Sequence, residues 1–172
     1  MPKKSKAAGF LLLLAAGCAS EPATVAVPDK LKAGANESLA MVVPAKGVQI
    51  YECKAAKSGY EWAFVAPEAD LFDGRGNRIG RHYAGPHWES NDGSKVVAKL
   101  KERADAPSPD AIPWLLLTAN SVGPQGAFSK VTSIQRVNTV GGVAPQDGCR
   151  PSASGAKAQA AYTADYYFLA PK

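Results

Sequence analysis

From Asp29 onward the chain is a series of short runs of β-branched and aromatic residues, each closed by glycine, proline, asparagine or aspartate. Runs of this kind, with side chains alternating between two faces, read as strands. Val48-Gln49-Ile50-Tyr51-Glu52-Cys53 and Tyr60-Glu61-Trp62-Ala63-Phe64-Val65 flank the charged and small residues Lys54 to Gly59, which predicts a hairpin with Tyr60, Trp62 and Phe64 facing the core. Asp73-Gly74-Arg75-Gly76-Asn77 predicts a tight turn, with a strand from Arg78 to Tyr83 after it. Lys95 to Leu100 reads as a further strand, followed by the proline-rich loop Ala106-Pro107-Ser108-Pro109-Asp110. Ile112-Pro113-Trp114-Leu115-Leu116-Leu117 fits a strand buried on both faces, with Pro113 where its missing donor costs least and Trp114 in the core. Val131 to Val140 runs up to Gly141-Gly142, and Ala160 to Leu169 carries Tyr162, Tyr166, Tyr167 and Phe168. Asp29 to Leu39 makes at most a turn or a short helix. The expected fold class is all-β, a single-domain antiparallel sandwich or flattened barrel of about eight or nine short strands.

The N-terminus follows another pattern. Lys3, Lys4 and Lys6 precede an apolar stretch, Ala7 to Ala16, that holds Leu11 to Leu14. This is the layout of a secretory signal, and it is about half the roughly 20 apolar residues that a membrane-spanning helix needs. Ala16 and Gly17 before Cys18 resemble the bacterial lipoprotein processing box, although Ala15 stands where that box most often has leucine. The resemblance implies residues 1–17 as a signal peptide and acyl chains on Cys18, with the lipid bilayer as partner. Ala19, in place of aspartate, implies the outer membrane of a cell envelope with two membranes. The alternative is an ordinary signal peptide with an incidental cysteine. Residues 18–28, with Pro22 and Pro28, have the composition of a lipidated tether, which leaves 29–172 as the domain.

This division changes the meaning of the charge. The formal net charge is +5, from 20 basic and 15 acidic residues. Three of the bases lie in the leader, so 17 bases face 15 acids beyond it and the net charge falls to +2. Nucleic acid is therefore not an expected partner. The chain has three cysteines. With Cys18 assigned to lipid, Cys53 and Cys149 remain as a pair in a compartment that permits disulfides, the alternative being two buried free thiols.

Candidate chemistry concentrates in one segment. His82-Tyr83-Ala84-Gly85-Pro86-His87-Trp88-Glu89-Ser90-Asn91-Asp92-Gly93-Ser94 holds both histidines of the chain, a tryptophan and two acids. If Gly85-Pro86 is a reversal, His82 comes opposite Glu89, and two imidazoles with a carboxylate suit a zinc or ferrous ion. That pairing depends on a strand register that one residue of slip would invert. No third histidine, His-Glu-x-x-His helix or glycine-flanked serine is present, and the Asp73 to Asn77 turn lacks the acids of a calcium loop. No metal or cofactor is assigned. The structural alternative is two turns with Tyr83 and Trp88 packed between them. The binding alternative makes His82, Tyr83, His87, Trp88, Glu89 and Asp92 the wall of a groove for a glycan or small molecule. Arg136, between Gln135 and Val137, is expected at the solvent surface, or else buried against Asp92 or Glu89.

The domain resembles the domain-of-unknown-function family 3455 of secreted bacterial and fungal proteins. The resemblance rests on Gly47 to Cys53, His82 to Trp88 with Asp92-Gly93-Ser94, Ile112 to Leu117, and Ile134 to Thr139 with Gly141-Gly142 and Cys149. It implies a domain boundary and a cysteine pair but no reaction. Three readings follow: an envelope-tethered binding module, an envelope hydrolase using His82 or His87 with Glu89 or Asp92, and a structural envelope protein.

Overall fold

Strand pairing in chain order brings the last strand back to the first. The computed structural model describes residues 24–172. Within them the antiparallel strands are β1 (Glu37–Ala56), β2 (Gly59–Phe72), β3 (Arg78–Tyr83), β4 (His87–Ser90), β5 (Lys95–Ala104), β6 (Trp114–Ser121), β7 (Ser133–Gly141) and β8 (Lys157–Pro171). Because β8 pairs with both β7 and β1, the single sheet closes into a barrel without a free edge. The fold is all-β, as the alternation predicts. Residues 1–17, Cys18 and the first part of the tether lie outside the described residues.

Three strands are far longer than the short runs visible in the sequence: β1 has 20 residues, β2 has 14 and β8 has 15. Pro44 and Gly47, which punctuate the pattern, are absorbed within β1. At Gly47 the reason is steric. A Cβ there would collide with the Glu68 carbonyl and Ala69 on β2, so glycine permits a close approach of two strands and does not end one.

The hairpin read from residues 48 to 65 is present, with its turn at Lys57-Ser58. Its inward-facing residues sit less deep than expected. Trp62 pairs with buried Cys53 and Phe64 with buried Tyr51, on the core side of the sheet. The β1–β2 tip nevertheless extends beyond the barrel, so Trp62 is only half-buried and Phe64 is 56% exposed. Val65 is an extra residue between the pairs Tyr51–Phe64 and Ile50–Ala66, a bulge that bends β2 at the barrel end. The turn after β2 forms as read: Asp73 Oδ1 accepts from the backbone N–H of Arg75 and Asn77, and Asp73 Oδ2 accepts from Asn77 Nδ2.

Two hydrophobic layers follow from this closure. Inside the barrel, Val43, Leu71, Trp88, Val96, Leu117, Ile134, Tyr166 and Phe168 pack together. One end of this interior is stoppered by Phe128 from the β6–β7 loop, whose ring meets Phe168 edge-on at 4.8 Å. Outside, Trp114, Leu116, Val137, Tyr167 and Leu169 form a second layer, covered by Leu31 of a short 3-10 turn (Asp29–Leu31) and by Val25 and Val27. This segment is tied down where Gln135 Nε2 donates to the Leu31 carbonyl at 2.6 Å and the Val25 N–H donates to Tyr167 Oη at 3.1 Å. Residues 24–28, assigned to the tether by composition, thus lie against the barrel, held by two alternate valines. The strap also explains why β6 is apolar on both faces: Leu117 points into the barrel and Leu116 lies under the strap.

Cys53 and Cys149 form the expected disulfide, with Cα atoms 5.3 Å apart and a sequence separation of 96. It joins the outer part of β1 to the β7–β8 loop, and Cys53 exchanges backbone hydrogen bonds with Ala156 and Gly155 beside it. A crosslink closing so long a loop removes much entropy from the unfolded chain. Reducing it is expected to lower the unfolding free energy by about 2–5 kcal/mol, read as the shift in urea midpoint with and without reductant; an unchanged midpoint would show that the loop is held without it.

Candidate functional site

The residues singled out in the sequence are parted by the β3–β4 register. Arg81 pairs with Glu89, His82 with Trp88, and Tyr83 with His87. His82 therefore does not meet Glu89 as the reversal at Gly85-Pro86 suggested; one position of difference sends them to opposite faces. His82 and Trp88 point into the barrel, where their rings stack at 4.0 Å. Tyr83, His87 and Glu89 lie on the outer face. Asp92 is at the far, stoppered end.

The outer group is a surface network. Tyr83 Oη donates to Glu89 Oε2, Arg81 Nη2 donates to Glu89 Oε1 at 3.1 Å, and the Arg81 guanidinium lies 4.9 Å from the Tyr83 ring centroid. The Tyr83 hydrogen bond, followed by Arg81, holds the Glu89 carboxyl below its usual range. His87 stacks on Tyr83, and its Nδ1 donates to the Ala84 carbonyl at 2.7 Å. Asp92 is a loop fastener: its Oδ1 accepts from the Ser94 N–H and hydroxyl, and its Oδ2 accepts from the Ala127 N–H. Those bonds lower its pKa and set the β6–β7 loop so that Phe128 stoppers the barrel.

At the opposite end the barrel is open. A cavity of about 530 Å³ lies there, within the size range of small-molecule sites. Its buried part is formed by Gln49, His82, Trp88, Ala98, Leu117 and Tyr166. Its rim carries three exposed apolar side chains, Phe64, Val65 and Leu100, the last 59% exposed. An apolar rim around an apolar hollow is a common sign of a binding mouth.

The polar groups of this cavity are few. Arg136 is the chief one, and it corrects both expectations for that residue: it is neither on the outer surface nor paired with Asp92 or Glu89, but lines the cavity. Ile134 belongs to the barrel core, and Arg136 shares its face because side chains two apart on a strand point the same way. Its Nε and Nη2 both donate to the Pro113 carbonyl, at 3.1 and 2.8 Å. Among the described residues no carboxylate forms an ion pair with it. Gln49 is 2% exposed and Trp88 is 1% exposed, yet Gln49 Nε2 and Trp88 Nε1 lack hydrogen-bond partners. The Tyr162 hydroxyl lies beside the Gln49 amide, outside hydrogen-bond geometry with Nε2. Lys99 is the other cation along the lining, which contains no acidic residue.

Residues 34–170 match the family described as Protein of unknown function (DUF3455). The chain belongs to that family. The match spans every residue that lines the cavity. No curated protein and no solved structure matches the chain.

Of the six residues that the DUF3455 sequence suggests as a groove wall, His82 and Trp88 line the cavity, joined from the same segment by Ala84, Gly85 and Pro86. Gln49 and Arg136 were not singled out as ligand contacts, although the two-residue spacing of Arg136 from Ile134 carried the signal. Among the described residues no three histidine, cysteine or acidic side chains converge as a metal site. Neither histidine hydrogen-bonds a carboxylate there; His82 Nδ1 donates to the His87 carbonyl at 2.8 Å.

Burial pushes the His82 pKa down to about 3, with the neighbouring Arg136 and His87 acting in the same direction and the His87 carbonyl opposing them. The folded barrel therefore holds His82 neutral while the unfolded chain protonates it near its ordinary value of 6.5. Between those values the unfolded state binds the extra proton, so stability falls as pH drops from about 6.5 towards 3. Glu89 and Asp92, whose pKa values are lowered, add their own losses as pH falls through the ordinary carboxylate values of 4.5 and 3.8 and below. Urea unfolding of wild type and His82→Phe at pH 7 and pH 5 is expected to show a loss in wild type that the variant lacks; equal losses would mean that His82 is not the group responsible.

Proposed function

We propose that this chain is a membrane-anchored envelope lipoprotein whose barrel is a binding module, taking a small molecule into its open end. The observation that carries the binding is the cavity of about 530 Å³, mostly apolar and edged by exposed Phe64, Val65 and Leu100. A small number of convergent polar groups in an apolar hollow suits recognition of one small ligand. A glycan suits it less, because sugars present hydroxyls on every side and this lining answers them at few points. The hydrolase reading gains no support from geometry that sets His82 inside the barrel and Glu89 outside it, and that bonds His87 Nδ1 to the Ala84 carbonyl and Glu89 to Tyr83 and Arg81 instead of to each other. The anchor reading rests on the leader and on the Ala16-Gly17-Cys18 pattern; several acyl chains hold a protein on a bilayer far longer than one chain does.

Ala98 is buried in the lining, so a larger side chain there fills the cavity. The full chain is expected to raise the fluorescence of the neutral apolar probe N-phenyl-1-naphthylamine, and Ala98→Phe is expected to weaken that binding about tenfold or more, the cost of losing a well-fitted apolar contact, with little change in Tm. Unaltered binding by a folded variant would place the probe elsewhere. In the producing cell, labelled palmitate is expected to enter the wild-type chain, which sediments with membranes, and Cys18→Ser is expected to abolish both results. Palmitate retained in the variant would remove Cys18 as the anchor.

A further inference from the structure

We infer that the cavity is selective for an anionic amphiphile, a molecule with an apolar body and one carboxylate-like head, and that Arg136 receives the head. This rests on the reading of the cavity as a binding site and adds the chemical class of its ligand.

The polar groups in the hollow are unequal in kind. Arg136, Gln49 Nε2, Trp88 Nε1 and Lys99 are all donors, the acceptors in the lining are neutral groups such as His82 and Tyr166, and no carboxylate lines the site. A guanidinium has five N–H donors, and the Pro113 carbonyl accepts from only two of its nitrogens. The remaining donors have no acidic partner among the described residues, only the neutral Tyr166 hydroxyl beside them. The buried donors Gln49 Nε2 and Trp88 Nε1 carry the cost of their lost hydration, and beside them stands the half-buried cation of Arg136. The complement of such a set is a group rich in acceptors and negatively charged. A carboxylate meets both conditions and matches the planar fork of arginine.

The rest of the lining specifies the body of the ligand. Leu115, Leu117, Ala98 and the face of Trp88 are apolar, and the exposed Phe64 and Leu100 extend that surface outward. A free inorganic anion would leave this surface in water, and a neutral hydrocarbon would cover the remaining donors of Arg136 without offering them an acceptor. An amphiphilic anion satisfies both. Tyr166, beside Arg136, is completely buried and cannot compete as an anion, because burial raises its pKa even against the pull of the guanidinium.

The test compares decanoate with decan-1-ol, which differ in charge at the head, by calorimetric titration of the full chain at pH 7.5. Decanoate is expected to bind at least about tenfold more tightly, as a charge-assisted hydrogen bond implies. Arg136→Gln is expected to bring the ratio to within about twofold and Arg136→Lys to retain part of it, since lysine keeps the charge but not the fork. The ratio is taken within each protein, so a general loss of stability does not imitate the effect; if Arg136→Gln does not fold, equal affinity of the wild type for the two compounds is the result that overturns the inference. Equal binding of both would leave the cavity reading standing and remove the anion preference, as would a preference that persists in Arg136→Gln. Binding of neither, together with no response to the neutral fluorophore, would remove the cavity reading as well.

Discussion

Closure of β1 upon β8 is the constraint on which the rest of the structure depends. The pairing runs from Glu37–Pro171 to Glu52–Lys157, the longest in the barrel, with one irregularity between Leu39 and Met41. It joins the first strand to the last, so its entropic cost is paid across nearly the whole domain. Closure turns a sheet with two vulnerable edges into a ring, and it gives every strand an inside and an outside. From then on each side chain's environment follows from its parity along the strand, corrected at each bulge.

Closure alone does not make a site, because the interior of a small eight-stranded barrel is just wide enough for side chains to fill. Here filling is uneven along the axis. At one end the loop held by Asp92 and Ser94 inserts Phe128 against Phe168, and the barrel is solid. At the other end the inward residues include Gln49, Ala98 and Arg136 among larger groups. Among the described residues no loop residue stoppers that end as Phe128 does the other, and the β1–β2 hairpin projects past it, leaving Phe64 and Val65 in the open. The disulfide lies at the same end, joining β1 to the β7–β8 loop. It fixes the strand end around the opening without adding any side chain to the lining.

Much of the fold was legible in the residues because strand periodicity is local. Arg78 to Tyr83 was bounded by glycine turns and needed no knowledge of its partners. The Cys53–Cys149 bridge followed from counting thiols. What was not legible depended on register and on depth. The alignment of His82 with Trp88 rather than Glu89 is set by the tight Ala84–Pro86 turn, where Gly85 adopts a φ of 129° and the His87 ring fills the space a Cβ would need. The depth of Phe64 depends on how far β1 and β2 overshoot their neighbours, a property of the whole ring. The place of Arg136 is hidden for a different reason: a charge in a strand is ordinarily assigned to water, and that rule outweighs its parity with Ile134.

Unsatisfied donors alone do not identify a site, and the outer layer shows why. Trp114 Nε1 is buried under the strap without a partner, as Trp88 Nε1 is inside the barrel. Each such group costs on the order of 1–3 kcal/mol, a sizeable share of the roughly 5–15 kcal/mol by which a domain is stable. Trp114 is accounted for by the apolar area it buries among Leu31, Leu116, Val137 and Leu169, and it does not line the cavity. The barrel interior differs because Gln49, Trp88 and Arg136, from three separate strands, converge on one opening without an acid among them. Packing could have been improved at that end by a larger apolar residue at 98 or 136 and a stable barrel retained. A hollow that keeps a cation and two idle donors is better suited to a ligand than to the stability of the fold.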